Sequence, residues 1–252
     1  MGRKLYGRGG SLRERNTAKR TLEKLLSVCI CLCMLGAMLS AQVFAEEADT
    51  AQTEIVQDTT PKDTVYLSSA DDLIQLAKNC RLDSWSQNRT VVLEADIDLS
   101  SVDFNGIPSF GGTWEGQNHA ITGLSLSQDG SVQGLFRYVQ QGALVRDMTV
   151  KGRIKPGGTR ASVGGIAGSN AGTIENCAFD GVVSGTSQIG GIAGVNTVKG
   201  SINGCTVSGT VYGSHFVGGV VGQNDGVAAN CTNAASVNTT VSQNEVKLND
   251  RT

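Results

Sequence analysis

The chain has 252 residues, with 33 glycines, 3 prolines and 5% aromatic side chains, a composition that points to all-β structure with room for one sizeable domain. Its net charge is −2, but eight of its 21 cations (Arg3, Lys4, Arg8, Arg13, Arg15, Lys19, Arg20 and Lys24) precede residue 25, against only Glu14 and Glu23 of its 23 acids. Setting that segment aside leaves about 13 bases and 21 acids, a net of about −8, which argues against nucleic acid or an anionic membrane surface as partner.

The basic run leads into an apolar stretch at 25–39, the order of n-region and h-region in a secretory signal. Ser40, Gln42 and a Val-Phe-Ala triplet at 43–45 follow, so residues 1–45 read as a signal peptide cleaved after Ala45. The alternative is an uncleaved signal anchor, because 25–45 just reaches across roughly 30 Å of hydrocarbon. Cys29, Cys31 and Cys33 lie inside the apolar run rather than at its end and read as apolar filler, not as a lipidation site. Export would permit disulfides among Cys80, Cys177, Cys205 and Cys231.

Residues 46–63 are polar, acidic and rich in Thr and Gln, a flexible spacer. Order is expected from Thr64, with a cap and leading coils over 64–130. A short strand is expected at 65–67, followed by an amphipathic helix with Ser69 as N-cap, Asp72 reaching back, and Leu73, Ile74, Leu76 and Ala77 on its apolar face. Such a helix would cover an open sheet edge. Short strands are expected at 90–93, 96–99, 120–122 and 124–126.

From 131 to 240 the register becomes regular. After a divergent Gly-Leu-Phe copy at 134–136, the words Val-Gly-Gly-Ile-Ala-Gly (163–168), Ile-Gly-Gly-Ile-Ala-Gly (189–194) and Val-Gly-Gly-Val-Val-Gly (217–222) begin 26 and 28 residues apart. Each is followed by an Asn and then a Cys: Asn170 and Cys177, Asn196 and Cys205, Asn224 and Cys231. A repeat of this length cannot bury its apolar face alone but can do so against copies above and below. The expected fold is a parallel β-helix of three short strands per coil, exemplified by 165–167, 173–177 and 182–183, with turns at 169–170, 180–181 and 185–186. Coils about 4.8 Å apart would stack like on like. Asn170, Asn196 and Asn224 would then form a hydrogen-bonding ladder in left-handed turns. Cys177, Cys205 and Cys231 would stack as buried thiols, because parallel side-chain vectors do not suit a disulfide dihedral. No CxxC pair or neighbouring His supports zinc.

Catalytic chemistry finds little purchase. Asp96 and Asp98 alternate around Ile97 and point out together, but two carboxylates are too few for a cation site, and polar-out alternation predicts the same pattern. Glu115 and His119 flank Gly116 as a general acid/base couple or as residues holding a turn, with the turn favoured. His215 reads as a solvated residue in a turn between coils, and Trp85 and Trp114 as core or cap packing rather than a sugar platform. Within the repeats no two acids share an offset, the glycine words lack the Lys-Ser/Thr of a phosphate loop, and no H-E-x-x-H occurs, the histidines being His119 and His215. No catalytic, cofactor or metal site is expected.

The V-G-G-I-x-G word with its following N-C resembles the GLUG repeat of bacterial surface and secreted proteins, including regions attached to immunoglobulin A1 metallopeptidases. The stretch 96–124, with its F-x-G-x-W-x-G-x-N-H-x-I-x-G-L pattern at 110–124, is similar to the coils that lead such arrays, so the resemblance covers about 64–240. It implies a right-handed parallel β-helix exported by a bacterium, of Gram-positive type given the long basic n-region. It also implies a non-catalytic module for adhesion, binding or display, secreted or on the cell surface, with glycans or host and neighbouring-cell surface proteins as partners. Nucleic acid is not among them, and a membrane is met only through the N-terminal segment. A carbohydrate-active β-helix enzyme with its site at 96–119 is the alternative. The polar tail at 241–252 brings no capping helix, wall-sorting motif or closing apolar segment, so a truncated fragment of a larger surface protein is a further expectation.

Overall fold

Residues 64–158 and 161–238 are described in a computed structural model of the chain; the signal segment, the spacer and the 241–252 tail lie outside them. Apolar residues alternate with polar ones along short segments, and each segment pairs with the equivalent one in the next coil rather than with its chain neighbour. All strand pairings recorded are parallel, from the leading Val65–Leu67 strand, which meets Thr90–Leu93, onward through the array. A seven-stranded sheet runs the length of the stack, so the chain makes about six turns of a parallel β-solenoid. Among the described residues one helix, α1 (Ala70–Asn79), interrupts this pattern.

Vertical registry is visible in the inner columns. Val91, Trp114, Val145, Ile174, Ile202 and Ala228 are successive partners on one sheet. Ile97, Ile121, Val150, Phe179, Val207 and Asn233 are successive partners on another. Apart from Ala228 and Asn233 in the last coil, all of these are buried, because period-two alternation sends every second side chain inward. The Ile166 amide donates to the Ile192 carbonyl (2.9 Å), and the Ile192 amide to that of Val220 (2.8 Å). The glycine words therefore lie one above another, as their spacing predicts.

The strand count per coil differs from expectation. Each repeat coil carries four strand segments, for example Ala161–Gly164, Ala167–Asn170, Thr173–Glu175 and Ala178–Ser184. Gly165 and Ile166 form a bend rather than a strand, so the glycine word is a corner. A Cβ on Gly164 would come within 2.7 Å of the Ala193 Cα, and one on Gly165 would strike the Phe179 ring, so the corner closes only without side chains. Asp180 and Gly181, expected as a turn, continue the Ala178–Ser184 strand, with Gly181 paired to Gly152 below and Gly209 above. The strands expected at 120–122 and 124–126 form one strand, Ala120–Leu126, with an irregular register between Ile121 and Leu124 and Gly123 at φ 70°.

The helix forms as its sequence dictates. The Ser69 hydroxyl accepts from the Asp72 amide (3.2 Å) and donates to the Asp72 carboxylate (2.7 Å), which also accepts from the Ser68 amide (3.1 Å). Leu73 and Leu76 are buried, and the helix packs on Val65–Leu67 and Ile107–Phe110, the edge strands of two sheets. It covers edges that would otherwise template pairing with another chain. The hydrogen bond from Ser69 is the main cause that holds the Asp72 carboxyl below its ordinary range. A depressed folded-state pKa contributes stability present above the ordinary Asp value and lost as pH falls through the folded one. Ser69→Ala should cost about 1 kcal/mol at neutral pH and flatten the acid limb of the stability curve, measured by urea melts from pH 7 to pH 3.

Candidate functional site

The outward residues of the leading coils hold most of the titratable chemistry, and the structure pairs them differently from their sequence neighbourhood. Glu115 and His119 do not form a couple. Glu115 lies in Thr113–Glu115, in register with Arg146 in Leu144–Arg146, which is in register with Glu175 of the next coil. The Arg146 guanidinium grips Glu115 bidentately, Nε to Oε2 at 2.7 Å and Nη2 to Oε1 at 2.9 Å, with Asp147 Oδ2 at 3.7 Å and Glu175 Oε1 at 4.0 Å. The hydrogen bond with Glu115 is the chief cause that raises the affinity of this guanidinium for its proton. Glu115 is thereby committed to a three-coil charge column.

His119 turns instead to the preceding coil, where its Nδ1 lies 3.1 Å from Asp96 Oδ1. That same oxygen accepts the Ala120 amide at 2.8 Å, the leading cause that lowers the Asp96 pKa, with His119 second. Asp98 folds back on its own turn, accepting from the Ser100 amide and hydroxyl, both at 2.9 Å. Asp98 therefore serves its own backbone turn and Asp96 ties its coil to the next, and no cluster of three or more metal-ligating side chains occurs among the described residues.

The remaining candidates resolve by burial. Trp114 is fully buried, edge-on to Phe110 and Phe136 at centroid distances of 6.0 and 5.2 Å, and so offers no platform for a sugar. Trp85 is half-buried, with the Arg89 guanidinium 4.6 Å above its ring. His215 is exposed as expected, but it opens the strand His215–Gly218 rather than sitting in a turn.

Both ladders form. Asn170 Nδ2 donates to Asn196 Oδ1 and Asn196 Nδ2 to Asn224 Oδ1, each at 2.8 Å. Contrary to expectation these asparagines end strands. Among the left-handed residues are Asp147, Asn176, Gly204 and Asn230, which precede Met148, Cys177, Cys205 and Cys231. A short polar side chain or glycine is needed there because the chain turns a corner at positive φ. The four cysteines at 80, 177, 205 and 231 are free thiols. Cys177 and Cys205 donate to the carbonyls of Glu175 (3.3 Å) and Asn203 (3.5 Å). Burial is the main cause that raises their pKa values, Cys205 to about 12, so they are inert packing rather than nucleophiles.

Residues 159–184 match the GLUG motif. Halomucin from Haloquadratum walsbyi is 29% identical over 173 residues, which is 62% of this chain and 2% of halomucin, so the chain spans only a small part of that relative. A solved structure from Bacteroides ovatus, described as a candidate immunoglobulin A1 protease, is 21% identical with a TM-score of 0.48, over 68% of this chain and 66% of that one. The motif falls on one full coil of the stack and its register is repeated in the coils beside it, so the chain is a parallel β-solenoid that carries a GLUG motif.

Proposed function

We propose that the chain is a non-catalytic β-helix module for adhesion, binding or display, secreted or held at the cell surface, with glycans or host and neighbouring-cell surface proteins as ligands. The observation that carries this reading is the fate of the expected Glu115–His119 acid/base couple: it does not form, because Glu115 is locked to Arg146, and Asp98 is likewise turned back on Ser100. The GLUG repeat, the similarity to halomucin and the basic-then-apolar N-terminus support a place outside the cell. We also infer a right-handed coil, because parallel strands joined by a crossover take that hand in about 98% of cases.

One contact favours a second reading. The exposed Asp96–His119 pair has the geometry of a carboxylate-oriented imidazole, the arrangement of a general base in a carbohydrate-active enzyme. A panel of polysaccharides incubated with the full chain separates the two. The proposal expects saturable binding with no new reducing ends or unsaturated sugars; turnover abolished by His119→Ala and by Asp96→Asn would establish the enzyme instead.

A further inference from the structure

A cavity of about 250 Å³ opens where the capping helix meets the first coils. Three cationic side chains line it: Lys78 from the last turn of α1, Arg81 just beyond that turn, and Arg137 from the strand Phe136–Val139 two coils on. Asp103 is the one acid in the lining, and its Oδ1 already accepts weakly from Gln128 (3.4 Å). No ion pair is recorded for Lys78, Arg81 or Arg137 among the described residues. The lining therefore carries an uncompensated excess of positive charge, against the acidic balance of the chain beyond residue 24.

Cations at a helix C-terminus are favoured by the helix dipole, which accounts for Lys78 and Arg81 without any ligand. It does not account for Arg137. That side chain comes from a different element, its Nε is buried without a partner, and its Nη2 makes only a long contact to the Asn105 carbonyl at 3.4 Å. Arg137 lines the cavity, and a guanidinium whose N–H groups are so poorly paired within the protein is a donor held ready for an acceptor. The rest of the lining is mixed: Ile74 and Phe104 give an apolar wall, and Asn105 and Asp103 give acceptors for hydroxyls. The volume lies below the ~300–1,000 Å³ of drug-sized sites, which restricts the occupant to about one sugar ring.

We propose that this cavity binds one acidic sugar unit, a hexuronate, with its carboxylate on Arg137 and Arg81, its hydroxyls on the Asn105 and Asp103 side, and its apolar face against Phe104. The anion follows from the unpaired cations alone; the sugar rests on the binding reading above.

The test is a titration of the full chain with glucuronate, glucose and inorganic sulfate, following the methyl signals of Ile74 by NMR. Glucuronate should shift them saturably and glucose should not. Arg137→Met, which keeps the apolar stem, should weaken glucuronate about tenfold or more, the loss expected for one charge-assisted hydrogen bond. Arg81→Gln, at an exposed position that packing does not depend on, should weaken it in the same direction. A silent Ile74, an equal response to glucose, or unchanged affinity in both variants would overturn the proposal, and sulfate binding more tightly than glucuronate would replace the sugar by a bare anion. A polysaccharide that binds while Ile74 stays silent would sink this pocket and leave the binding module standing. Glucuronate filling the pocket of a chain that retains no polysaccharide would do the reverse.

Discussion

Trp114→Ala should destabilise the solenoid by about 3–5 kcal/mol, whereas Trp114→Phe should cost less than about 1.5. The indole is fully buried in the column between Val91 and Val145, and it packs edge-on against Phe110 and Phe136. Truncation to a methyl leaves a cavity that two aromatic neighbours and two paired coils cannot close, since each coil is held at fixed spacing by its ladder. Phe retains most of the area and surrenders only an indole N–H that has no hydrogen-bond partner. Urea midpoints of the two variants against the unsubstituted chain measure the difference. Equal losses for Ala and Phe would show that the indole nitrogen, not the packing, carries the residue.

Asn196→Asp should cost a similar amount, about 3–5 kcal/mol at neutral pH, although it replaces a single NH₂ by oxygen. Asn196 is fully buried, and its Nδ2 faces three acceptors: Asn224 Oδ1 at 2.8 Å, the Val227 carbonyl at 3.1 Å and the Gly200 carbonyl at 3.3 Å. An ionised carboxylate there offers oxygen to oxygen with no compensating donor on that side. Because the charged form is the costly one, the folded-state pKa of the new acid lies above its unfolded value. The penalty therefore grows as pH rises above about 3.9 and fades below it. Asn224→Asp is the control: that residue is exposed, and its Oδ1 acts as acceptor for Asn196, which a carboxylate does equally well, so the change should be nearly neutral. Melting curves of both variants at pH 4 and pH 7 test the sign as well as the size.

Much of the stack was legible because its determinants are local or periodic. Ser69 and Asp72 lie three residues apart, so the cap could be read directly, and the inner columns follow from alternation within strands plus a repeat of 26–28 residues. The strand boundaries were harder, for a physical reason. Gly181 looks like a turn residue in isolation, but it stays in a strand because Gly152 and Gly209 pair with it on either side, a fact carried by two other coils. The charge column of Glu115, Arg146 and Glu175 was missed because it begins in a leading coil that lacks the glycine word. A signal was present: each of these residues precedes a corner occupied by Gly116, Asp147 or Asn176, and alignment on those corners would have brought the three into line. The cationic cavity had no such trace, since Arg81 just beyond the helix and Arg137 on a strand, 56 positions apart, meet only once the coils are stacked.

Methyl-to-methyl NOEs in a chain labelled at Ile and Val test the stack most directly. Coils about 4.8 Å apart must give strong cross-peaks from Ile166 to Ile192 and from Ile192 to Val220, each assigned by conservative substitution at one partner. Cross-peaks that instead join these residues within antiparallel neighbours, or none between them at all, would contradict a solenoid held in vertical register.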